Sequence, residues 1–94
     1  MKQKLQIVAD EAIPFLRGVL EPYAEIHYLP GEQISNKNIK QADALLVRTR
    51  TNCNLSLLQN TAVQMVATAT IGMDHLDTDF LRQAGIHFTY APAD

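Results

Sequence analysis

Apolar residues in this chain come in short runs, separated by polar stretches that carry helical spacing. Residues 5–9 (Leu-Gln-Ile-Val-Ala) are mostly apolar and bounded by polar residues, which predicts a buried first strand. Asp10-Glu11 follows, and Pro14 stands where a first helical residue tolerates a missing N–H. Phe15, Leu16, Val19 and Leu20 then give one apolar helical face, which Pro22 ends by removing a donor and crowding the preceding turn. Residues 25–29 alternate imperfectly and predict a second strand, closed by Pro30-Gly31. Ser35 or Asn36 caps a short helix to about Gln41.

The run Ala44-Leu45-Leu46-Val47 has no polar interruption, the pattern of a strand covered on both faces. A helix carrying Leu55, Leu57 and Leu58 comes next, then a fourth strand at residues 65–69. Asp77 or Thr78 opens a helix with Phe80, Leu81 and Ala84 on its buried side, and Gly85 ends it in the left-handed conformation. Residues 86–90 make a fifth strand. Connections too long for hairpins join the strands, so the expectation is an α/β fold: an open parallel five-stranded sheet with helices on both faces. A flavodoxin-like order, 2-1-3-4-5, is the simplest topology.

A length of 94 residues holds one small domain, and 47% hydrophobic residues argue against disorder. A net charge of -2 offers no positive field, so nucleic acid is a poor partner. The lone Cys53 excludes an intrachain disulfide and a cysteine-rich zinc site, and suits the cytosol. No apolar run approaches the ~18 residues of a membrane helix, and the start lacks the length and cleavage site of a signal peptide. The expectation is a cytoplasmic protein without membrane partners.

In an open parallel sheet, ligands bind beyond the carboxyl ends of the strands. Those ends deliver Asp10 and Glu11, then Arg48-Thr49-Arg50-Thr51, then Thr68, Thr70 and Gly72, and finally Tyr90-Ala91-Pro92. Arg48 and Arg50, with the Thr49 and Thr51 hydroxyls ahead of a helix, form a candidate anion site; the guanidinium fork suits phosphate and carboxylate. The blander alternative pairs one arginine with Asp10 or Glu11 and leaves the other solvated. Thr68-Ala69-Thr70-Ile71-Gly72 leads into a glycine turn whose N–H groups can form an anion nest, or is simply a tight strand exit.

Asp74, His75 and Asp77 suggest a metal set, but they lack a fourth partner and fit better as helix caps and loop support. Arg50 and a helix start could activate Cys53, yet no base is placed for it, and a small packed side chain is the better reading. The four glycines form neither G-x-G-x-x-G nor a P-loop, so no residue is assigned to a nucleotide cofactor. A phosphoacceptor receiver would need an Asp after strand three and a Lys after strand five; Arg48-Thr49 and Ala91-Pro92 supply neither.

Two stretches carry a resemblance: residues 44–54 (Ala-Leu-Leu-Val-Arg-Thr-Arg-Thr-Asn-Cys-Asn) and residues 66–77 (Val-Ala-Thr-Ala-Thr-Ile-Gly-Met-Asp-His-Leu-Asp), followed by residues 81–86. With strand one to Pro92 in matching order, the chain resembles the 4-phosphoerythronate dehydrogenases within the wider D-2-hydroxyacid dehydrogenase family. The resemblance makes residues 1–94 the N-terminal part of a substrate-binding (catalytic) domain whose Rossmann cofactor domain is absent from this chain. It places Thr49 and Thr70 against 4-phospho-D-erythronate, and the N–H groups of Ile71 and Gly72 on the substrate carboxylate. It implies oxidation with NAD in pyridoxal phosphate biosynthesis, and a homodimer when full-length.

The catalytic Arg, Glu and His of the family belong to the part beyond this chain, so His27, His75 and His87 receive no such role. The family continues A-P-G-C-N where this chain reads Ala91-Pro92-Ala93-Asp94. The isolated chain is therefore expected to be inactive. With the segment that returns to complete the domain missing, it is expected to expose apolar surface and self-associate. Two alternatives stay open: a stand-alone binding or interaction module, and a fragment of another D-2-hydroxyacid dehydrogenase.

Overall fold

A computed structural model describes residues 5–13, 24–48, 51–69 and 75–90. Strands β1 (Leu5–Asp10), β2 (Ala24–Leu29), β3 (Ala44–Val47), β4 (Met65–Thr68) and β5 (His87–Tyr90) form one sheet in the order β2-β1-β3-β4-β5. Every pairing is parallel, with Val8 opposite both His27 and Leu45, Leu45 opposite Val66, and Val66 opposite Phe88. This is the topology expected from the sequence. Parallel neighbours need a crossover between them, and the polar, helically spaced stretches supply it.

One face of the sheet carries the core. Val8, Leu45, Val47 and Val66 point to that face and are buried against Ile34, Ile39, Leu57, Leu58 and Leu81. These partners come from two 3-10 turns (Gly31–Gln33 and Asn36–Ile39) with the residues flanking them, and from two helices, α1 (Leu55–Leu58) and α2 (Thr78–Ala84). All the described helical segments thus serve a single face. The helix expected between Pro14 and Pro22 lies outside the described residues.

On the opposite face burial falls off across the sheet. Ile7 and Ala9 on β1 and Ala67 on β4 are buried, whereas Met65 at the start of β4 is 42% exposed and His87 and Thr89 on the edge strand β5 are open.

Several sequence expectations need correction. The helix expected from residue 35 or 36 is a single 3-10 turn, and the Ser35 hydroxyl makes no capping bond. Asn36 instead donates from Nδ2 to the carbonyls of Leu57 and Gln59, both at 2.8 Å, fastening the turn to the end of α1. An amide offers two donors, and both carbonyls belong to a helix end that needs them. In α2, Leu81 is fully buried and Phe80 partly so, but Ala84 faces solvent. The fourth strand stops at Thr68 and the fifth starts at His87, each one residue short of expectation.

At the amino ends of the strands, Asp43 links β1 to β4. Its Oδ2 accepts from Gln6 N–H at 2.8 Å, and its carbonyl accepts from Gln64 N–H at 2.8 Å. The Gln64 carbonyl accepts in turn from His87 N–H at 3.0 Å. One rim of the sheet is thereby laced by main chain, and the rim at the carboxyl ends is left for loops. Among the described residues, no helix is long and apolar enough to cross a membrane.

Candidate functional site

At the carboxyl rim, β1 ends in Asp10, which is 2% exposed. Its Oδ1 accepts from Ala12 N–H at 2.9 Å and closes the turn that leaves the strand. Glu11 N–H donates to the Leu29 carbonyl at 2.8 Å, drawing the exits of β1 and β2 together. Between them opens a cleft of about 330 Å³, lined by Asp10, Glu11, Ala12, Pro30, Gly31, Glu32 and Arg48. Among these residues three carboxylates face one guanidinium, so the cleft is unsuited to a multiply charged anion. Among the described residues Arg48 makes no ion pair with Asp10 or Glu11; Arg50, the other arginine of that alternative, lies outside the described residues.

Thr51 does not serve the anion site in the way its position suggested. It is buried, and its hydroxyl donates to the Gly31 carbonyl at 3.4 Å, bracing the loop after β3 against the loop after β2.

Beyond Thr51 the chain makes a short parallel bridge between Cys53 and Leu76. Cys53 N–H donates to the His75 carbonyl at 2.8 Å, and Asp77 N–H donates to the Cys53 carbonyl at 2.9 Å. The segment that follows Thr49-Arg50 is thus tied by main chain to the segment that follows residues 70–74. A second tie lies on the other side of that loop. Thr68 Oγ1 and His75 Nε2 are 2.9 Å apart and buried, with the ring tautomer deciding which donates. Ala69 N–H donates to the Val47 carbonyl at 2.9 Å, extending the β3–β4 ladder to the edge of the loop.

Of the residues expected to meet substrate, Thr49, Arg50, Thr70, Ile71 and Gly72 lie outside the described residues, and Arg48 lines the acidic cleft. The structure describes the supports of the two loops. The Cys53–Leu76 bridge is not foreshadowed by the sequence pattern, because a single-residue pairing leaves no alternation to detect. His75 as loop support and Asp77 as helix cap agree with expectation: Asp77 Oδ1 accepts from Phe80 N–H at 3.1 Å. Asp74 lies outside the described residues.

Burial pushes the Cys53 thiol up to about 12, opposite to the activation a nucleophile needs. The packed-side-chain reading of Cys53 therefore stands. Among the described residues no three His, Cys, Asp or Glu side chains gather as metal ligands. A dinucleotide does not fit here either. The first strand exit carries Asp10 and Glu11, where a pyrophosphate needs glycine and free N–H groups.

The chain matches a family model described as D-isomer specific 2-hydroxyacid dehydrogenase, catalytic domain, over residues 5–94. It is 45% identical over 89 residues to the erythronate-4-phosphate dehydrogenase of Bacteroides fragilis, covering 94% of this chain and 26% of that protein. Against the enzyme of the same name from Hahella chejuensis it is 49% identical over 88 residues, covering 94% of this chain and 23% of the relative. A solved structure of D-lactate dehydrogenase from Aquifex aeolicus, complexed with NAD and lactic acid, shares the fold. Its TM-score is 0.72 at 23% identity, over 94% of this chain and 28% of that one. The chain spans about a quarter of the length of the curated relatives it matches.

Proposed function

Because this chain belongs to the D-isomer specific 2-hydroxyacid dehydrogenase family, we propose that it is the first part of the substrate-binding domain of an NAD-dependent 4-phosphoerythronate dehydrogenase. The observation that carries this reading is the pair of ties at residues 53 and 75. The Cys53 main-chain bonds join the segment that follows Thr49-Arg50 to the segment that follows residues 70–74, and the Thr68–His75 bond joins the two flanks of the latter. A sugar acid with a carboxylate at one end and a phosphate at the other calls for hydrogen-bond donors at both ends. Thr49 and Thr70 hydroxyls, with the N–H groups of Ile71 and Gly72, supply such donors. Arg50 adds a positive charge next to Thr49 in the sequence, and Arg48 lines the acidic cleft.

The proposed reaction is oxidation of the C2 carbinol of 4-phospho-D-erythronate to the 2-oxo acid, a step of pyridoxal phosphate biosynthesis. NAD would take the hydride on a cofactor domain outside these 94 residues, where the groups that move the proton would also lie. A cytoplasmic homodimer belongs to the same proposal.

The test compares two proteins. The whole protein that the gene encodes forms NADH from NAD and 4-phospho-D-erythronate, and the isolated 94-residue chain forms none. Turnover by the isolated chain overturns the division of labour. A whole protein that prefers lactate or glycerate assigns the segment to another dehydrogenase of the family. A whole protein that oxidises none of these leaves a binding module.

A further inference from the structure

The crossover from β2 to β3 is made by two 3-10 turns, which cover less of the sheet than a helix of several turns would. Ile34 and Ile39 from that crossover reach the core beside Val8 and Leu45. Against β1 and β2 a cavity of about 380 Å³ remains. Its floor is apolar, from Val8, Leu29 and Ala42. Around the floor stand four primary amides and the His27 imidazole, with no carboxylate, ammonium or guanidinium among the lining side chains.

The amides are not equivalent. Gln6, two residues before Val8, and His27, opposite Val8 in register, share the face that carries the cavity. His27 Nε2 and Gln6 Oε1 are 3.2 Å apart, which engages the amide oxygen and leaves the Gln6 amino group as a donor. Asn38 is arranged the opposite way: its Nδ2 donates to the Gln33 carbonyl at 2.7 Å, and its Oδ1 is left as an acceptor. The Gln33 and Gln41 side chains are exposed, make no hydrogen bond among the described residues, and can each donate or accept. The cavity thus offers a donor from the sheet and an acceptor from the turn, over a hydrocarbon floor.

A carboxylate or phosphate would give up water there without meeting a fixed positive charge. A peptide added to the edge strand β2 would run alongside the sheet, whereas the floor lies on its face. A flat, uncharged ring matches both floor and rim, and the volume falls in the range of roughly 300–1,000 Å³ that small-ligand pockets occupy. We propose that this cavity binds an uncharged heterocycle whose edge alternates N–H donors with carbonyl acceptors, a pyrimidinedione being the simplest example. The inference uses none of residues 49, 50 and 70–72 and does not rest on the substrate reading above.

The test uses the whole protein that the gene encodes, with NAD present throughout so that a nucleotide site elsewhere is already filled. Ligand-observed NMR titrations compare thymine, a difluorotoluene that keeps its shape without its hydrogen bonds, and orotate, which adds a carboxylate to the ring. Thymine saturates one site, and the other two bind about tenfold more weakly or worse. Gln33→Ala/Gln41→Ala weakens thymine about tenfold at an unchanged melting temperature. Gln6→Glu keeps the size and the oxygen facing His27, replaces the donor by a charge, and abolishes binding. Thymine that fails to saturate, or that binds either variant as tightly as wild type, overturns the inference. Difluorotoluene or orotate binding as tightly as thymine overturns it too.

Discussion

Cys53 shows how context outweighs residue type. Its thiol, fully buried and pushed up to about 12 from its ordinary 9.0, stays protonated in the fold after it would ionise in the unfolded chain. Stability from this group is whole below the lower value and is lost as pH rises from one to the other. The limiting slope is about 1.4 kcal/mol per pH unit. Urea melts of wild type and Cys53→Ala, taken below and within that window, check this: only wild type should show this added loss. Asn36 makes the complementary case. Asn36→Ala forfeits two bonds to helix-end carbonyls and should cost about 1–3 kcal/mol by chemical denaturation. Asn36→Asp loses the same two donors but keeps the acceptor for Lys40 Nζ at 2.9 Å, so it too should be destabilising. The packed state of Cys53 was legible, since no base stood near it in the sequence. The role of Asn36 was not, because its partners lie 21 and 23 residues away.

At the scale of elements, the strands were more legible than the helices. Continuous apolar runs such as residues 44–47 leave little choice once the turns around them are recognised. The segment at 35–41 carries helical spacing but is too short to offset the cost of nucleation, and it settles into a 3-10 turn shaped by tertiary bonds. Helix α2 was legible at both ends because its signals are local. Asp77 caps Phe80 N–H, and Gly85 sits at φ 74° with open space around the position of a Cβ. Gly85→Ala should therefore lose only the conformational term, about 1 kcal/mol, and Gly85→Val more. Asp77→Ala should cost about 0.5–2 kcal/mol through the lost cap. Thermal melts of the three variants check the order. The candidate site divides the same way: its motif residues stand out in the sequence, whereas the ties at residues 53, 68 and 75 emerge only when distant segments meet.

For the whole molecule, the uneven coverage of the sheet matters most. Among the described residues two helices and two 3-10 turns pack one face, while Met65, His87 and Thr89 are exposed on the other. Parallel sheets are stable with both faces covered, so the isolated 94-residue chain should associate with itself. Sedimentation over a range of concentrations checks this; a monodisperse monomer with a sharp melt at high temperature would contradict it. The strand order has a further result, in the time domain of synthesis. Of the five described strands β1 is made before the others, yet it lies between β2 and β3, and both pairings are parallel, so a tight hairpin can satisfy neither of its edges. One edge waits for residue 24 and the other for residue 44. Until then the nascent chain presents a bare, apolar strand on both sides, and shielding by a holdase at that stage should govern its yield more than native stability does.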